Sequence, residues 1–279
     1  MNDSVAYTPQ QVMQHIIDAG EKRNSQPVVR SILLGLLAGA FISFGAAASS
    51  VAAHGISETG LARLATAAVF PIGLMMIVLV GGELFTGDCL MVTGIWDKKY
   101  GVLKTIKTLL IVWLSNLTGT IIMSCLVANS GIYSYSDGAL GAYMIKIAYT
   151  KATISPQTAI CSGILCNMLV CSAVLMSNAA KTAAGKIWTV FFPIMAFVTA
   201  GFEHCVANMY YIPAGMIAAI NESYVKKAAD MYGMTAVQIK EHLTAIGFLN
   251  NIIPVTLGNI VGAVLLIALP LYYIYKKSI

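Results

Sequence analysis

Long apolar runs separated by short polar segments make up most of the chain. Each run is long enough for the roughly 20 residues that a membrane-spanning helix needs. Residues 1–26 are polar, and the pattern then predicts six spans, at 31–53, about 65–95, about 106–128, 159–176, 187–220 and about 254–275. We therefore expect an all-α protein that crosses a membrane six times.

Two of these runs, the second and the fifth, are interrupted near their middle. The fifth contains Gly-Phe-Glu-His at 201–204, and the second contains Gly-Gly-Glu at 81–83, followed by Thr86 and Asp88. Ionisable groups and irregular backbone at membrane depth are tolerated only inside the protein or along a cavity. We therefore expect helices 2 and 5 to be broken, with their polar residues near the membrane midplane.

The two interruptions belong to an internal repeat. Phe-Pro-Ile precedes each break, at 70–72 and at 192–194, and Asn-x-x-Gly recurs in spans three and six, at 116–119 and 259–262. An odd number of spans in each half gives the two triplets opposite orientations in the membrane. The sequence thus predicts an inverted three-plus-three repeat whose substrate path lies between the breaks.

The first 30 residues form a predicted unit of their own, ahead of a channel domain at 31–279. The Thr-Pro-Gln-Gln stretch at 8–11 is typical of a capped helix start. Up to Arg23, one face of this helix is apolar, formed by Val12, Met13, Ile16 and Ile17. We expect an amphipathic helix on the membrane surface, lying over the cytoplasmic mouth and joined to the first span by a linker at 24–27.

Polar segments connect the spans. We expect a loop at 129–149 and a polar insertion at 221–251, which contains a second capped helix from Thr235 to about Leu243. Six spans place both termini on one side, and the segments on that side, including Lys277, hold most of the 17 Lys and Arg residues. This excess predicts that both termini are cytoplasmic.

Composition supports membrane insertion and gives no sign of catalysis. Hydrophobic residues make up 58% and charged residues 10% of the chain, whereas soluble domains carry about 25% charged residues. The six cysteines form no CxxC pair and are interpreted as small buried residues. With no nucleophile or metal-binding set, we predict a protein that is not an enzyme, has no metal or cofactor, and does not bind nucleic acid.

Five motifs together resemble the formate/nitrite transporter family over essentially the whole chain. They are Gly-Glu-Leu-Phe-Thr at 82–86, Lys151, Gly-Ile-Leu-Cys-Asn at 163–167, the stretches 201–204 and 207–209, and Leu-Gly-Asn at 257–259. The resemblance implies a homopentamer of aquaporin-like protomers in a bacterial inner membrane. Each protomer would have its own pore for a small monovalent anion.

The same resemblance implies particular roles for individual residues. Thr86 and His204 would form the central pair, with Lys151, Asn167 and Asn208 lining or charging the path. The implied apolar constrictions are Phe70, Leu74, Leu84, Phe85 and Phe197. The segment 205–211 resembles the hydrosulfide branch, so hydrosulfide is the first expected substrate, and formate and nitrite are the alternatives.

An anion that crosses a dry constriction needs either fixed positive potential or a proton, because a bare charge there costs several kcal/mol or more. Half-helix N-termini would provide the first, and His204 would provide the second because imidazole exchanges protons near neutral pH. Thr86 would hydrogen-bond one ring nitrogen and thereby select the nitrogen that faces the anion. Lys151 would concentrate anions at the outer mouth.

Plainer interpretations stand beside these. His204 is also consistent with a buried structural histidine, Asn167 with a contact between helices, and Lys151 with a solvated loop charge. Glu83 and Glu203 are interpreted as structural acceptors at the breaks, since an anion path would avoid exposed carboxylates. A membrane scaffold without a pore and a channel for neutral solutes are the alternative functions.

Overall fold

The structure, a computed structural model, describes residues 6–276, and its regular elements are almost entirely helical. Lys277 and the outer ends of the two predicted domains lie outside these residues. The α-helices are α1 Pro9–Ser25, α2 Val28–Ala53, α3 Thr59–Val69, α4 Ile72–Val80, α5 Phe85–Asp88, α6 Val92–Trp96, α7 Val102–Asn129, α8 Tyr135–Ala152, α9 Pro156–Ala179, α10 Ala183–Ala200, α11 Cys205–Ala218, α12 Glu222–Tyr232, α13 Ala236–His242, α14 Ala245–Val261 and α15 Leu269–Tyr275.

Short segments of other helix types join some of these helices. The 3₁₀ turn Cys89–Met91 connects α5 to α6, and a second one, Ile132–Ser134, precedes α8. The π-helical segment Gly262–Ala268 connects α14 to α15. Among the described residues, six helical segments are long and apolar enough to cross a membrane: Val28–Ala53, Thr59–Val80, Val102–Asn129, Pro156–Ala179, Ala183–Ala200 and Ala245–Tyr275. The predicted six-span helical fold is confirmed.

The expected loop at 129–149 was wrong, because α8 occupies most of it. This helix packs against α11 and α12 and buries one apolar face: Ala139, Leu140, Ala142, Met144, Ile145 and Ala148. Glycines at 131, 138 and 141 and several Tyr and Ser residues hid that face in the sequence. Tertiary packing therefore determines this helix more than the local composition does.

The starts of two spans and the content of the polar insertion also differ from the prediction. The sixth span begins at Ala245, because the side chain of Thr244 accepts a hydrogen bond from Gly247 N and caps α14. The polar insertion contains a helix besides the predicted one, α12, with Asn221 as its cap. The first span begins at Val28, so only residues 26–27 separate it from α1.

The helix α1 packs against the bundle with its apolar face buried. Ile17 is fully buried, and Val12, Met13 and Ile16 are nearly so. The helix contacts α6, α7, α9 and α15. It is therefore docked on protein over much of its length, whereas the sequence predicted a helix lying on the membrane surface.

Glycines allow two pairs of spans to approach closely, α2 with α7 and α9 with α14. A Cβ atom added at Gly119 of α7 would lie 2.3 Å from Leu36 O of α2. The corresponding atom at Gly262 would lie 2.3 Å from Ile164 O of α9. The two contacts lie at equivalent positions of the two predicted repeats. In both, a small residue lets membrane helices pack backbone to backbone.

The cysteines are not all buried as predicted. Cys89, Cys166, Cys171 and Cys205 are buried, but Cys125 and Cys161 are exposed. Both exposed residues lie on membrane-spanning helices, α7 and α9, where apolar surroundings outside the protein take the place of a protein core.

Candidate functional site

The two helix breaks lie at equivalent places in the two halves. The helix α4 ends at Gly81, whose φ is +112°, and α10 ends at Gly201, whose φ is +75°. Both values lie in the region that glycine adopts without steric cost. Non-helical segments, 81–84 and 201–204, then lead into α5 and α11.

One buried asparagine makes three hydrogen bonds at each break, two to the break itself and one to a neighbouring span. In the first half, Asn116 Nδ2 donates to Glu83 O at 2.9 Å and to Gly35 O at 2.8 Å. Its Oδ1 accepts from Phe85 N at 3.0 Å. Because backbone groups at this depth have no water to pair with, these bonds make the interrupted helix possible.

The second half repeats this arrangement with other residues. Asn259 Nδ2 donates to Glu203 O at 3.1 Å and to Gly163 O at 2.8 Å, and its Oδ1 accepts from Cys205 N at 2.9 Å. Asn116 and Asn259 are both fully buried. The sequence showed both as markers of the repeat, and Asn259 also as part of a family motif. Their shared register with the two breaks was the signal for this structural role.

The breaks bring Thr86 and His204 together. Thr86 Oγ1 lies 2.9 Å from His204 Nε2, and both side chains are buried. His204 is also the N-cap of α11, since its Nδ1 accepts a hydrogen bond from Ala207 N at 3.1 Å. The central pair implied by the family resemblance is therefore close in space.

The hydrogen bonds of His204 assign its ring proton. An Nδ1 that accepts from a backbone N–H carries no proton, so a neutral ring carries its proton on Nε2. Nε2 then donates to Thr86 Oγ1. Among residues 6–276, no other protein acceptor takes the hydroxyl proton of Thr86, which leaves that proton for a ligand.

Two cavities lie at opposite ends of the spans that carry the breaks. The first, here called the Lys151 cavity, has a volume of about 330 Å³ and is lined by residues including Phe70, Lys151, Phe197, His204 and Asn208. The second, the Arg23 cavity, has a volume of about 210 Å³ and is lined by residues including Arg23, Leu74, Leu84, Gly87 and Asp88. The Thr86–His204 pair lies between them.

Four of the five expected constriction residues line one of these cavities. Phe70 and Phe197 meet edge to face with ring centroids 5.8 Å apart, and the Phe197 ring stacks on His204 at 5.9 Å. Leu74 and Leu84 belong to the Arg23 cavity. Phe85 instead lines a separate apolar groove beside α7 and α14, and its place in the path stays a prediction.

Asn167 is fully buried and lines neither cavity. Its Nδ2 donates to Thr86 O at 3.1 Å and to Asn259 O at 2.8 Å. Asn208 lines the Lys151 cavity, but its Nδ2 donates to Glu203 Oε2 at 2.6 Å and to Asn251 Oδ1 at 2.8 Å. Both asparagines hold other parts of the site in place.

Residues 10–273 match the family model described as formate/nitrite transporter. The chain belongs to the formate/nitrite transporter family. Family members are channels and transporters, so the protein is a membrane transport protein and not an enzyme. This match covers both breaks, the two asparagines that hold them (Asn116 and Asn259), and the central pair.

Curated relatives agree with the family over nearly their whole length. A "Probable formate transporter" of Methanothermobacter thermautotrophicus is 36% identical over 276 residues, covering 92% of this chain and 93% of that protein. The "Formate channel FocA" of Escherichia coli K12 is 32% identical over 268 residues, covering 94% of this chain and 92% of that protein.

Solved structures show the same fold. A "Pentameric formate channel with formate bound" superposes with a TM-score of 0.77 at 30% identity, covering 89% of this chain and 97% of that one. An "FNT family ion channel" gives a TM-score of 0.80 and covers 95% and 98% of the two chains. At 23% identity, the second likeness concerns the fold alone.

Each break of this transporter carries a glutamate whose carboxylate meets a cation from a neighbouring helix. Lys151 Nζ of α8 donates to Glu203 Oε1 at 2.8 Å. Arg23 Nε of α1 lies 3.2 Å from Asp88 Oδ1 and 3.9 Å from Glu83 Oε1. Lys151 is therefore not an isolated charge, because Glu203 compensates it, and its steering role stays a prediction.

Replacing one partner of the Lys151–Glu203 pair should cost more stability than replacing both. Lys151→Met leaves a buried carboxylate unpaired, so we expect a loss of about 3–5 kcal/mol. The double variant with Glu203→Gln should recover part of that loss, measured by denaturant titration in detergent. The exposed Lys227–Asp137 pair, also at 2.8 Å, is the control. A double-mutant cycle on this pair should show little coupling between its two charges. Equal losses for both cycles would contradict the structural role of the buried pair.

Proposed function

We propose that the chain conducts small monovalent anions, formate first among them, along a path that passes the Thr86–His204 pair. The observation that carries this proposal is a buried polar pair between two cavities, at the point where two broken helices meet. The names of the relatives, formate transporter and formate channel, support formate.

Recognition of the anion follows from the chain of hydrogen bonds at this pair. The helix α11 begins at Cys205, so its positive N-terminal end lies at the break. Ala207 N donates to His204, and His204 donates to Thr86. The hydroxyl of Thr86 then donates to the anion. Each donor in this chain strengthens the next.

This geometry favours fixed positive potential over proton donation. Both ring nitrogens of His204 already make hydrogen bonds. To give a proton through Nε2, the ring must first be protonated on Nδ1, and that breaks the cap from Ala207. A neutral ring that polarises Thr86 requires no such step.

Hydrosulfide stays a second candidate. Its support was the likeness of the segment 205–211 to the hydrosulfide branch. Of that segment, Ala207, Asn208 and Tyr211 line the Lys151 cavity, whereas Cys205 and Tyr210 line neither cavity. The buried thiol of Cys205 therefore gives no contact to the path, and formate has the stronger support.

We also propose a homopentamer in the cell membrane of a bacterium, with both termini in the cytoplasm. The pentameric assembly of the solved relative supports the oligomer. Large apolar side chains exposed on the spans, such as Leu103, Leu114 and Leu126, fit contact with lipid or neighbouring copies. The excess of basic residues on the N-terminal side supports the orientation.

We propose that residues 1–30 act as a cytoplasmic unit that covers the channel domain at 31–279. Ile16, Ala19 and Arg23 of α1 line the Arg23 cavity. Asn24 fixes the end of the helix, since its Nδ2 donates to Thr105 Oγ1 at 3.2 Å and its Oδ1 accepts from Thr108 Oγ1 at 2.8 Å. The helix thus lies where it can limit access to the path.

Proteoliposomes containing the wild-type protein should collapse an imposed formate gradient, whereas a scaffold without a pore would not.

We expect His204→Asn to keep the fold, because Asn is a good N-cap. Its shorter side chain no longer reaches Thr86, so flux should fall by at least about ten-fold. The fall should be the same from about pH 5 to 8, because the proposed role involves no titration.

The measurement is anion flux with a pH dye inside the liposomes. If His204→Asn abolishes proton cotransport that the wild type shows, or flattens its pH profile, His204 is a proton relay and the polarising role is wrong. His204→Phe is the blocked reference, because its apolar ring removes both hydrogen bonds.

Weakening the hold on α1 should increase flux. In Arg23→Gln, Glu83 and Asp88 lose their nearest cation, so amide exchange in residues 9–25 should speed up and flux rise by about two- to five-fold. Lys22→Gln, an exposed neighbour on the same helix, is the matched control and should match the wild type. Faster exchange in α1 with unchanged flux would show that the helix is only an anchor.

A further inference from the structure

The Lys151 cavity is lined by three cations, Arg63, Lys146 and Lys151, and by no Asp or Glu among the described residues. One of these cations, Lys151, is compensated by Glu203 at 2.8 Å. Two positive charges, those of Arg63 and Lys146, therefore remain at the mouth of the path. The charge that attracts anions on this side must come chiefly from them.

Arg63 has no acidic partner within the described part of the chain. Its Nη1 donates to Thr199 O and Ala200 O, both at 3.4 Å, at the end of α10. These contacts hold the guanidinium over the break, beside Gly201. They are long and use one of its three nitrogens, so Nε and Nη2 have no protein acceptor among residues 6–276.

Aromatic rings hold Lys146 in the same cavity. Its Nζ lies 4.7 Å from the ring centroid of Tyr232 and 5.7 Å from that of Tyr143. Cation–π contacts position an ammonium group without cancelling its charge. Lys146 therefore adds a second positive charge near Arg63.

We propose that Arg63 is the capture site for planar anions with two oxygens, such as formate or nitrite, before they reach the Thr86–His204 pair. A guanidinium presents parallel N–H groups that match two oxygens of such an anion, whereas an ammonium acts as a point charge. Hydrosulfide has no second acceptor atom, so Arg63 attracts it by charge alone. This inference rests on the proposed anion transport and adds a selectivity to it.

Arg63→Lys keeps the positive charge and removes the parallel N–H groups of the guanidinium. In proteoliposomes at low ionic strength, this variant should raise the KM for formate by about three- to ten-fold, leave maximal flux unchanged, and leave the KM for hydrosulfide nearly unchanged. Arg63→Gln should raise the KM for both anions. Lys226→Gln removes the same charge from α12, at a position outside the cavity, and should behave as the wild type.

A second readout, line broadening of ¹³C-formate by the purified protein, reports binding without transport. The wild type should broaden the signal, and Arg63→Gln should not. If the wild type binds formate through Arg63 but conducts none, the result supports the capture site and contradicts the proposed transport.

Three results would overturn the capture site. In the first, formate transport is normal and neither Arg63 variant changes KM or line broadening. In the second, Arg63→Lys raises the KM for formate and hydrosulfide by the same factor. In the third, maximal flux falls while KM stays constant, which would assign Arg63 only to capping α10.

Discussion

The backbone N–H and C=O groups at the two helix breaks need hydrogen-bond partners, and the rest of this structure depends on that constraint. A helix interrupted inside a membrane exposes N–H and C=O groups that neither lipid nor water can pair. Asn116 and Asn259 each supply one donor and one acceptor to these groups, and a second donor from each binds a carbonyl of a neighbouring span. Without them, neither Thr86 nor His204 would have a defined position.

The same constraint explains how the charges near the path are arranged. Each break contains a glutamate, and each half provides a cation from the helix that precedes its first span. Lys151 of α8 pairs with Glu203, and Arg23 of α1 faces both Asp88 and Glu83. The Lys151–Glu203 pair fixes the geometry at its break without leaving a net charge there. On the side of the Lys151 cavity, what remains is a neutral hydroxyl–imidazole pair at the centre and uncompensated cations at the mouth, an arrangement suited to anions.

The sequence predicted the spans and the breaks because each has a local signal: apolar length, glycines, and polar residues at mid-membrane. The central pair was implied by the resemblance to the family. The helix α8 lacked such a signal, since glycines interrupt its buried face. Lys151 and Glu203 lie 52 residues apart, so their pairing could not be predicted while α8 was expected as a loop. Composition also cannot tell a side chain that faces the path from one that faces a neighbouring helix, as Phe85 shows by lining the groove beside α7 and α14.

Hydrogen–deuterium exchange in the two break segments tests this account most directly. Asn259→Ala should speed exchange in residues 201–208 and leave 81–88 unchanged, Asn116→Ala should do the reverse, and both should lose formate flux. Asn129→Ala, at the exposed end of α7, is the control and should match the wild type. Wild-type exchange in both segments together with wild-type flux in both variants would contradict the central role of the two asparagines.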